Sequence, residues 1–159
     1  MPFGATYPPI DLAHIMPYRF VENLTVADLA FVAHGKTLEE LFTSAGQAVT
    51  AAMVKDLRTV RKREARNFDL VSEELDLLLF NFLQEIIYFK DVDQLLLSRF
   101  QLTIRTENSR SFHLIGCGQG EKIDPDRHPL LVDVKAVTLH KFEVVKREET
   151  WRATVVLDI

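Results

Sequence analysis

Residues 29–53 read LAFVAHGKTLEELFTSAGQAVTAAM, and their hydrophobic pattern changes at a single glycine. Before Gly35 the chain is a short apolar run typical of a strand. After it, Thr37 and Glu40 form the Thr-x-x-Glu pattern of a capping box, which predicts that a helix begins there. The apolar residues that follow recur at helical spacing on one face: Leu38, Leu41, Phe42, Ala45, Val49, Ala52 and Met53. This stretch therefore predicts a strand followed by a helix.

A second helix is predicted from Ser72-Glu73-Glu74 onward, because acidic residues in a first turn interact favourably with the helix dipole. Its sequence, ELDLLLFNFLQEIIYF (74–89), carries apolar residues on nearly every side, so the polar stripe is narrow. A helix of this kind is buried within its own domain or partly covered by another chain.

The other periodic segments alternate between apolar and polar residues as strands do. They are residues 19–26, 29–34, 68–71, 99–104, 112–118, 132–140, 141–147 and 151–159. A turn is predicted at Asn108-Ser109, and KIDPDRHP (122–129) is predicted to be a loop because of its two prolines. Two helices among many strands predict a single α+β domain with a largely antiparallel sheet.

Length and composition narrow the class of protein. The chain has 159 residues, which fits one domain. A formal net charge of -4 gives no global attraction to nucleic acid or to anionic membranes. The sequence shows no apolar run near the ~20 residues of a membrane span, and its single cysteine, Cys117, fits a reducing compartment. We therefore expect a cytoplasmic protein with no membrane partner, an N-terminal extension over 1–17, and the domain over 18–159.

The end of the chain carries a candidate cation site. Asp158 and Ile159 finish a β-prone run with a side-chain carboxylate and an α-carboxylate side by side. Asp28 is the natural further contributor, because Asp is depleted in strands and a buried carboxylate must be paired or coordinated. Hard cations bind such oxygens and take six or more of them. On spacing alone, a solvated Asp158 and a turn or capping role for Asp28 remain alternatives.

Other candidate sites have simpler explanations. Residues 55–66, KDLRTVRKREAR, contain six cations, and a solvated surface is the commonest role of such a run. The alternative is a docking site for an acidic partner or for RNA phosphates, which salt would weaken. The five histidines show no zinc-binding spacing, and GCGQG (116–120) fits a bulged strand better than a phosphate-binding loop.

Several segments, taken in order, resemble the archease family. They are VADLAFVAHGKTLEELFTSAGQAV (26–49), AMVKDL (52–57), the helix 74–89 followed by SRF (98–100), IDPDRHPLLVDVKAVTLH (123–140) and the terminal VVLDI (155–159). The resemblance extends from about Tyr18 to Ile159. It implies an archease-like α+β domain, and an accessory protein rather than an enzyme.

Archeases activate the tRNA-splicing RNA ligase, promoting its guanylylation and its repeated turnover. The resemblance thus implies that ligase as the protein partner, with RNA contacted indirectly. It also implies a divalent-metal site formed by Asp28, Asp158 and the terminal Ile159. Ca²⁺ is the first choice of ion, with Mg²⁺ or Mn²⁺ as alternatives.

One part of the family pattern is absent, because the chain reads TVAD (25–28) where archeases usually have His-Thr-Ala-Asp. Asp28 is kept, but a role for the family's histidine does not carry over.

Further candidates for contacts to the partner or to phosphate are Lys135, His140, Arg61, Lys62 and Arg63. Two other functions stay open. One is a small metal-dependent phosphoester hydrolase that uses the same acids to activate water. The other is a chaperone-like module that docks a client on the second helix.

Overall fold

Two antiparallel sheets and two long helices form the part of the chain that the computed structural model describes, residues 17–21 and 26–159. The elements are β1 (Tyr18–Val21), β2 (Asp28–Gly35), α1 (Leu38–Met53), a 3-10 turn (Leu57–Thr59), β3 (Glu64–Ser72), α2 (Leu75–Asp93), β4 (Leu95–Glu107), β5 (Ser111–Lys122), β6 (Ala136–Arg147) and β7 (Thr150–Asp158). Residues 1–16 of the expected extension and 22–25 of the first expected strand lie outside the described residues.

The strands form one sheet of four, in the order β1-β2-β7-β6, and one of three, in the order β3-β5-β4. Every neighbouring pair is antiparallel. The predicted α+β fold with two helices is confirmed. The first strand after the extension pairs with the second, and the second pairs with the last, so β2 and β7 are the two interior strands of the four-stranded sheet.

Helix α1 begins where the capping box predicts. The Thr37 hydroxyl accepts the backbone N–H of Glu40 at 3.1 Å, and the Glu40 carboxylate accepts the backbone N–H of Lys36, also at 3.1 Å. The first bond satisfies a donor that a helix N-terminus leaves without an intrahelical partner, and the second fixes the residue just before the N-cap. The apolar face of α1 is buried, and the helix contacts both β2 and β4. It therefore joins the two sheets.

Helix α2 supplies the centre of the core. The Phe82 ring lies 5.7 Å from the Phe42 ring, 4.9 Å from Phe68 and 5.5 Å from Phe100, measured between centroids. These partners come from α1, β3 and β4, so one aromatic cluster ties four elements together. The helix begins at Leu75 rather than at Ser72 as predicted, because the Ser72 hydroxyl instead accepts the N–H of Glu74 at the end of β3.

One helical residue contradicts the rule that lysines are exposed. Lys90 is 5% exposed, and its ammonium group donates to Asp133 Oδ1 at 2.6 Å and to the Val134 carbonyl at 2.9 Å. Burial acts to lower the pKa of Lys90, but the bonds and charges of Asp133 and Asp91 outweigh it and raise the pKa. The charged side chain therefore fixes the chain segment that leads into β6.

The prediction of two strands over 132–140 and 141–147 was wrong. They form one strand, β6, which begins at Ala136 and shifts register between Thr138 and Glu143. Lys141 has φ 55° within this bulge. Residues 131–134 are not paired as a strand, because their polar groups bond to the helices instead. Leu131 N–H donates to the Met53 carbonyl at 2.8 Å, and the Val134 carbonyl accepts from Lys90 Nζ at 2.9 Å.

The glycines of GCGQG (116–120) belong to β5, which pairs in regular register with β3, not to a bulge of β5 itself. Their role is close approach to β4. A Cβ at Gly116 would lie 2.1 Å from the Gln101 carbonyl oxygen, and one at Gly120 would lie 1.7 Å from that of Leu96. The β4–β5 register shifts between Leu97 and Arg99, next to this contact. Among the described residues, no helix is long and apolar enough to cross a membrane.

Candidate metal centre

Asp28 and Asp158 lie directly opposite each other in the two interior strands of the four-stranded sheet. Asp28 is the first residue of β2, Asp158 is the last of β7, and the two are register partners. The Ile159 N–H donates to the Ala27 carbonyl at 2.9 Å. A bond that flanks the pair in this way marks a non-hydrogen-bonded pair, the type in which opposite side chains are closest. Opposite Cβ atoms are then about 4.5–5.5 Å apart on one face of the sheet.

The terminal residue is held in place beside this pair. Besides its bond to Ala27, Ile159 packs its partly buried side chain against the core. The α-carboxylate of Ile159 thus follows directly after a strand position that is fixed on both sides. The sheet brings two side-chain carboxylates and the α-carboxylate to one end of the β2–β7 strand pair. This end, formed by Asp28, Asp158 and Ile159, is called the β2–β7 edge below.

The beginning of β6 adds a third strand to this edge. Ala136 is the register partner of Asp158, and the Lys135 N–H donates to the Asp158 carbonyl at 2.8 Å. The backbone of Asp158 is therefore hydrogen-bonded to the residue just before β6, and on its other side Asp158 faces its register partner Asp28. Lys135 is exposed beside the edge. His140 lies elsewhere, exposed within the bulged part of β6.

The donor set fits a hard cation. Within residues 17–21 and 26–159, no group of three or more His, Cys, Asp or Glu side chains could hold a metal ion. Besides Asp28 and Asp158, the α-carboxylate of Ile159 is one residue on from Asp158 and is the further oxygen group that the sequence predicts for this site. Three carboxylates offer at most six oxygens, which suits Ca²⁺ with its six to eight oxygen ligands once water completes the shell. All-oxygen ligands also suit Mg²⁺ and Mn²⁺ better than soft metals.

Of the predicted basic candidates, Lys135 lies beside this edge, but the three from the basic run do not. Arg61, Lys62 and Arg63 lie between the 3-10 turn and β3, which belongs to the other sheet. Arg61 and Arg63 instead line a cavity of about 490 Å³ that also includes Glu121 and Arg127.

Sequence reasoning missed the network behind that cavity. Glu121 is 4% exposed, and its Oε2 accepts the Arg61 backbone N–H at 2.9 Å and pairs with the Arg127 guanidinium. His128 is fully buried, and its Nδ1 accepts the Asp124 N–H at 2.9 Å. The ring proton is therefore on Nε2, which donates to Glu121 Oε2 at 2.9 Å.

The network holds a buried carboxylate in its charged form. Burial alone would raise the pKa of Glu121, but the Arg61 N–H, Arg127 and His128 lower it to about 2. The signal in the sequence was a Glu at the end of a strand, followed six and seven residues later by Arg and His in a stretch that its prolines marked as a plain loop.

The model of the Archease protein family (MTH1598/TM1083) matches residues 18–159. The chain belongs to the archease family. Protein archease from Methanosarcina mazei is 33% identical over 142 residues, which cover 89% of this chain and 95% of that protein. Protein archease from Methanothermobacter thermautotrophicus is 35% identical over 133 residues, covering 84% and 93%.

Solved archease structures share the fold. The solution structure of Methanobacterium thermoautotrophicum protein 1598 has a TM-score of 0.78 at 31% identity, and the match covers 90% of this chain and 99% of that one. The crystal structure of a Thermotoga maritima archease, named a possible chaperone, has a TM-score of 0.58 at 16% identity, covering 85% and 93%. The second likeness supports the fold alone.

Proposed function

We propose that this archease is a non-enzymatic, cytoplasmic activator of the tRNA-splicing RNA ligase that works through a divalent-metal site. The observation that supports the site is the register of β2 and β7, which sets Asp28 opposite Asp158 with Ile159 one residue on. Membership of the archease family supports the partner. The role of the protein is to promote guanylylation of the ligase and let it turn over repeatedly.

In this proposal the chain's own residues build and orient an acidic edge. Asp28, Asp158 and the α-carboxylate of Ile159 hold a divalent cation, preferably Ca²⁺. Such an ion, when bound, neutralises charge that develops on phosphoryl oxygens during nucleotidyl transfer. The Lys135 N–H fixes the backbone of Asp158, so the carboxylate sits on a strand bonded on both sides. The ligase supplies the nucleophile that accepts the guanylyl group.

The test is single-turnover guanylylation of the cognate ligase, with and without this protein, at increasing concentrations of Ca²⁺, Mg²⁺ or Mn²⁺. Asp158→Asn is expected to remove most of the activation. Asp126→Asn is the matched control, because Asp126 is an exposed aspartate in the 122–129 loop, away from the β2–β7 edge. An Asp158→Asn variant that activates fully would refute the metal mechanism.

A second variant isolates the α-carboxylate. Adding one glycine after Ile159 moves that group by one residue and leaves every side chain of residues 1–159 unchanged. The same loss of activation is expected as for Asp158→Asn. Cleavage of a phosphoester by the purified protein without any ligase would instead favour a metal-dependent hydrolase, and the activator proposal would be rejected.

A chaperone-like function is the second candidate, and one surface favours it. Leu77, Tyr88 and Val92 of α2 are 37%, 54% and 58% exposed, and they recur at helical spacing on the exposed face of the helix, beside the polar Asn81 and Asp91. A client-binding role on this stripe needs no metal. Triple substitution of these residues by Ser, Gln and Thr should then abolish client protection without affecting guanylylation.

A further inference from the structure

The cavity beside Glu121 has features of an anion site that lie apart from the Asp28–Asp158 edge. It measures about 490 Å³, within the roughly 300–1,000 Å³ of typical small-ligand sites. Three arginines line it: Arg61, Arg63 and Arg127. A guanidinium binds phosphate through two parallel N–H bonds, so arginines that converge on one cavity match phosphate geometry.

Two carboxylates of the cavity, those of Glu121 and Asp124, are already paired with cations or hydrogen-bond donors. Glu121 takes donors from Arg61 N–H, His128 and Arg127, and Arg63 Nε lies 3.6 Å from its other oxygen. Asp124 Oδ2 lies 3.7 Å from Arg127 Nε. The buried Glu121 therefore acts as an anchor that orients Arg127 and Arg63 at the cavity, rather than as a charge that repels an anion.

Glu64, the other acid of the lining, is paired with a cation from outside it. Its Oε1 lies 3.4 Å from Arg66 Nη2, and Arg66 also bonds to Asp93 at 3.2 Å. The lining has four cations (Arg61, Arg63, Lys122 and Arg127) and three acids (Glu64, Glu121 and Asp124), a formal charge of 4 − 3 = +1. This positive site sits on a chain whose net charge is -4.

The basic run divides into cations that are paired and cations that are available. Arg58 makes a bidentate ion pair with Asp56 at 3.0 Å, and Arg66 is bound to acids as described. The Arg61 guanidinium and the Lys62 ammonium make no hydrogen bond or ion pair with any residue of the described structure. The Arg61 backbone is fixed by its bond to Glu121, so its side chain projects from an anchored position into the lining.

We propose that this cavity binds a phosphate group of RNA, with Arg61 as the main ligand and Arg63 and Arg127 oriented beside it by Glu121. Among the described residues, the lining holds no aromatic ring on which bases could stack, and its apolar members are Ile123 and Pro125. We therefore expect contact with phosphate and no base preference. The phosphate can be terminal or internal to the strand. The inference is independent of the proposed metal site.

The experiment measures RNA binding by fluorescence anisotropy with the whole protein in EDTA, so that the metal edge plays no part. The probes are a labelled ten-nucleotide single strand with a terminal 3′-phosphate, the same strand without it, and inorganic phosphate as competitor. Arg61→Gln is compared with Arg58→Gln. Both remove one positive charge from the same run, but Arg58 is 91% exposed, paired with Asp56 and outside the cavity.

Arg61→Gln is expected to weaken binding about five- to tenfold, as loss of a charge-assisted hydrogen bond to phosphate does. It should also reduce the slope of log Kd against log salt by about 0.7, the value for one phosphate contact on a single strand. Arg58→Gln should stay within about twofold of the wild type by the same reasoning, because the Arg58 charge is already offset by Asp56.

Two patterns support the proposal and distinguish the source of the phosphate. Tighter binding of the 3′-phosphorylated strand, with competition by inorganic phosphate, indicates a terminal phosphate. Equal binding of both strands indicates the backbone. Equal losses of RNA affinity in the two variants would show general electrostatic attraction and refute the phosphate site. Saturable binding of an acidic Glu-rich peptide with no binding of RNA would refute it too. Absence of RNA binding to the folded wild type would also overturn it.

Discussion

Asp158→Asn should uncouple the thermal stability of this archease from Ca²⁺. A ligand that binds the folded state alone stabilises it by RT ln(1 + [L]/Kd), about 2.7 kcal/mol at a free concentration 100 times Kd. For a chain of this size, each kcal/mol raises Tm by about 2–4 °C, so the wild type should gain roughly 5–11 °C. This gain is the signal that the substitution is expected to remove.

The expected loss follows from the geometry of the edge. A unit charge about 4 Å from another contributes about 1 kcal/mol in bulk water, so removing one carboxylate from a divalent ion costs at least about 2 kcal/mol. That weakens Kd about thirtyfold. At the same Ca²⁺ concentration the variant keeps only about 0.9 kcal/mol of stabilisation, or roughly 2–4 °C.

Differential scanning calorimetry in EDTA and in Ca²⁺ measures this directly. In EDTA the variant should unfold at or slightly above the wild-type temperature. The Asp158 side chain makes no hydrogen bond or ion pair with the described residues, Asn has nearly the same shape, and the substitution relieves repulsion with the opposite Asp28. Asp126→Asn should behave like the wild type in both conditions. A full Ca²⁺ shift in Asp158→Asn, or no shift in the wild type, would refute the assignment of ligands.

Three further predictions concern the framework. The pKa of Glu121 falls from 4.5 in the unfolded chain to about 2 in the folded one, so its contribution to stability is complete above pH 4.5 and is lost as the pH falls toward 2. Urea titrations should show the free energy of unfolding falling by about 3 kcal/mol over this range, and Glu121→Gln should flatten that fall. The same pH dependence in the variant as in the wild type would contradict this. Lys90→Met should lower the free energy of unfolding by about 1–3 kcal/mol in chemical denaturation, because the Val134 carbonyl loses its donor while the exposed Asp133 is rehydrated. An unchanged free energy of unfolding would show that water replaces the bond. Gly120→Ala should lower the free energy of unfolding by about 3 kcal/mol, because the new Cβ would force β5 away from β4 at the Leu96 carbonyl. A loss below about 0.5 kcal/mol would show that this contact relaxes.

Local signals in the sequence predicted the elements whose structure is locally determined. The capping box at Thr37 marked the start of α1, and apolar spacing marked its buried face. The turn at Asn108-Ser109 was also predicted correctly, and both residues have φ 54° there. In each case the residues that form the structure lie within a few positions of one another.

Features that depend on distant partners were not predictable in this way. The start of β6 at Ala136, rather than at 132 as predicted, involves Lys90, which binds Asp133 from a helix more than forty residues earlier. Burial of His128 depends on Glu121 and a backbone N–H, and nothing in the sequence of the 122–129 loop indicates either contact. The pairing of Asp28 with Asp158 spans almost the whole chain and has no periodic signal; residue type suggested Asp28 as a contributor to the Asp158 site, and the family resemblance implied it.

Anomalous scattering from crystals grown with Mn²⁺ tests the central claim most directly, because it locates the ion without any assay of function. We expect one peak at the β2–β7 edge, with oxygens of Asp28, Asp158 and the terminal carboxylate of Ile159 all within about 2.6 Å. A Mn²⁺ peak bound elsewhere, or an edge without a peak in crystals where the metal saturates other sites, would contradict it.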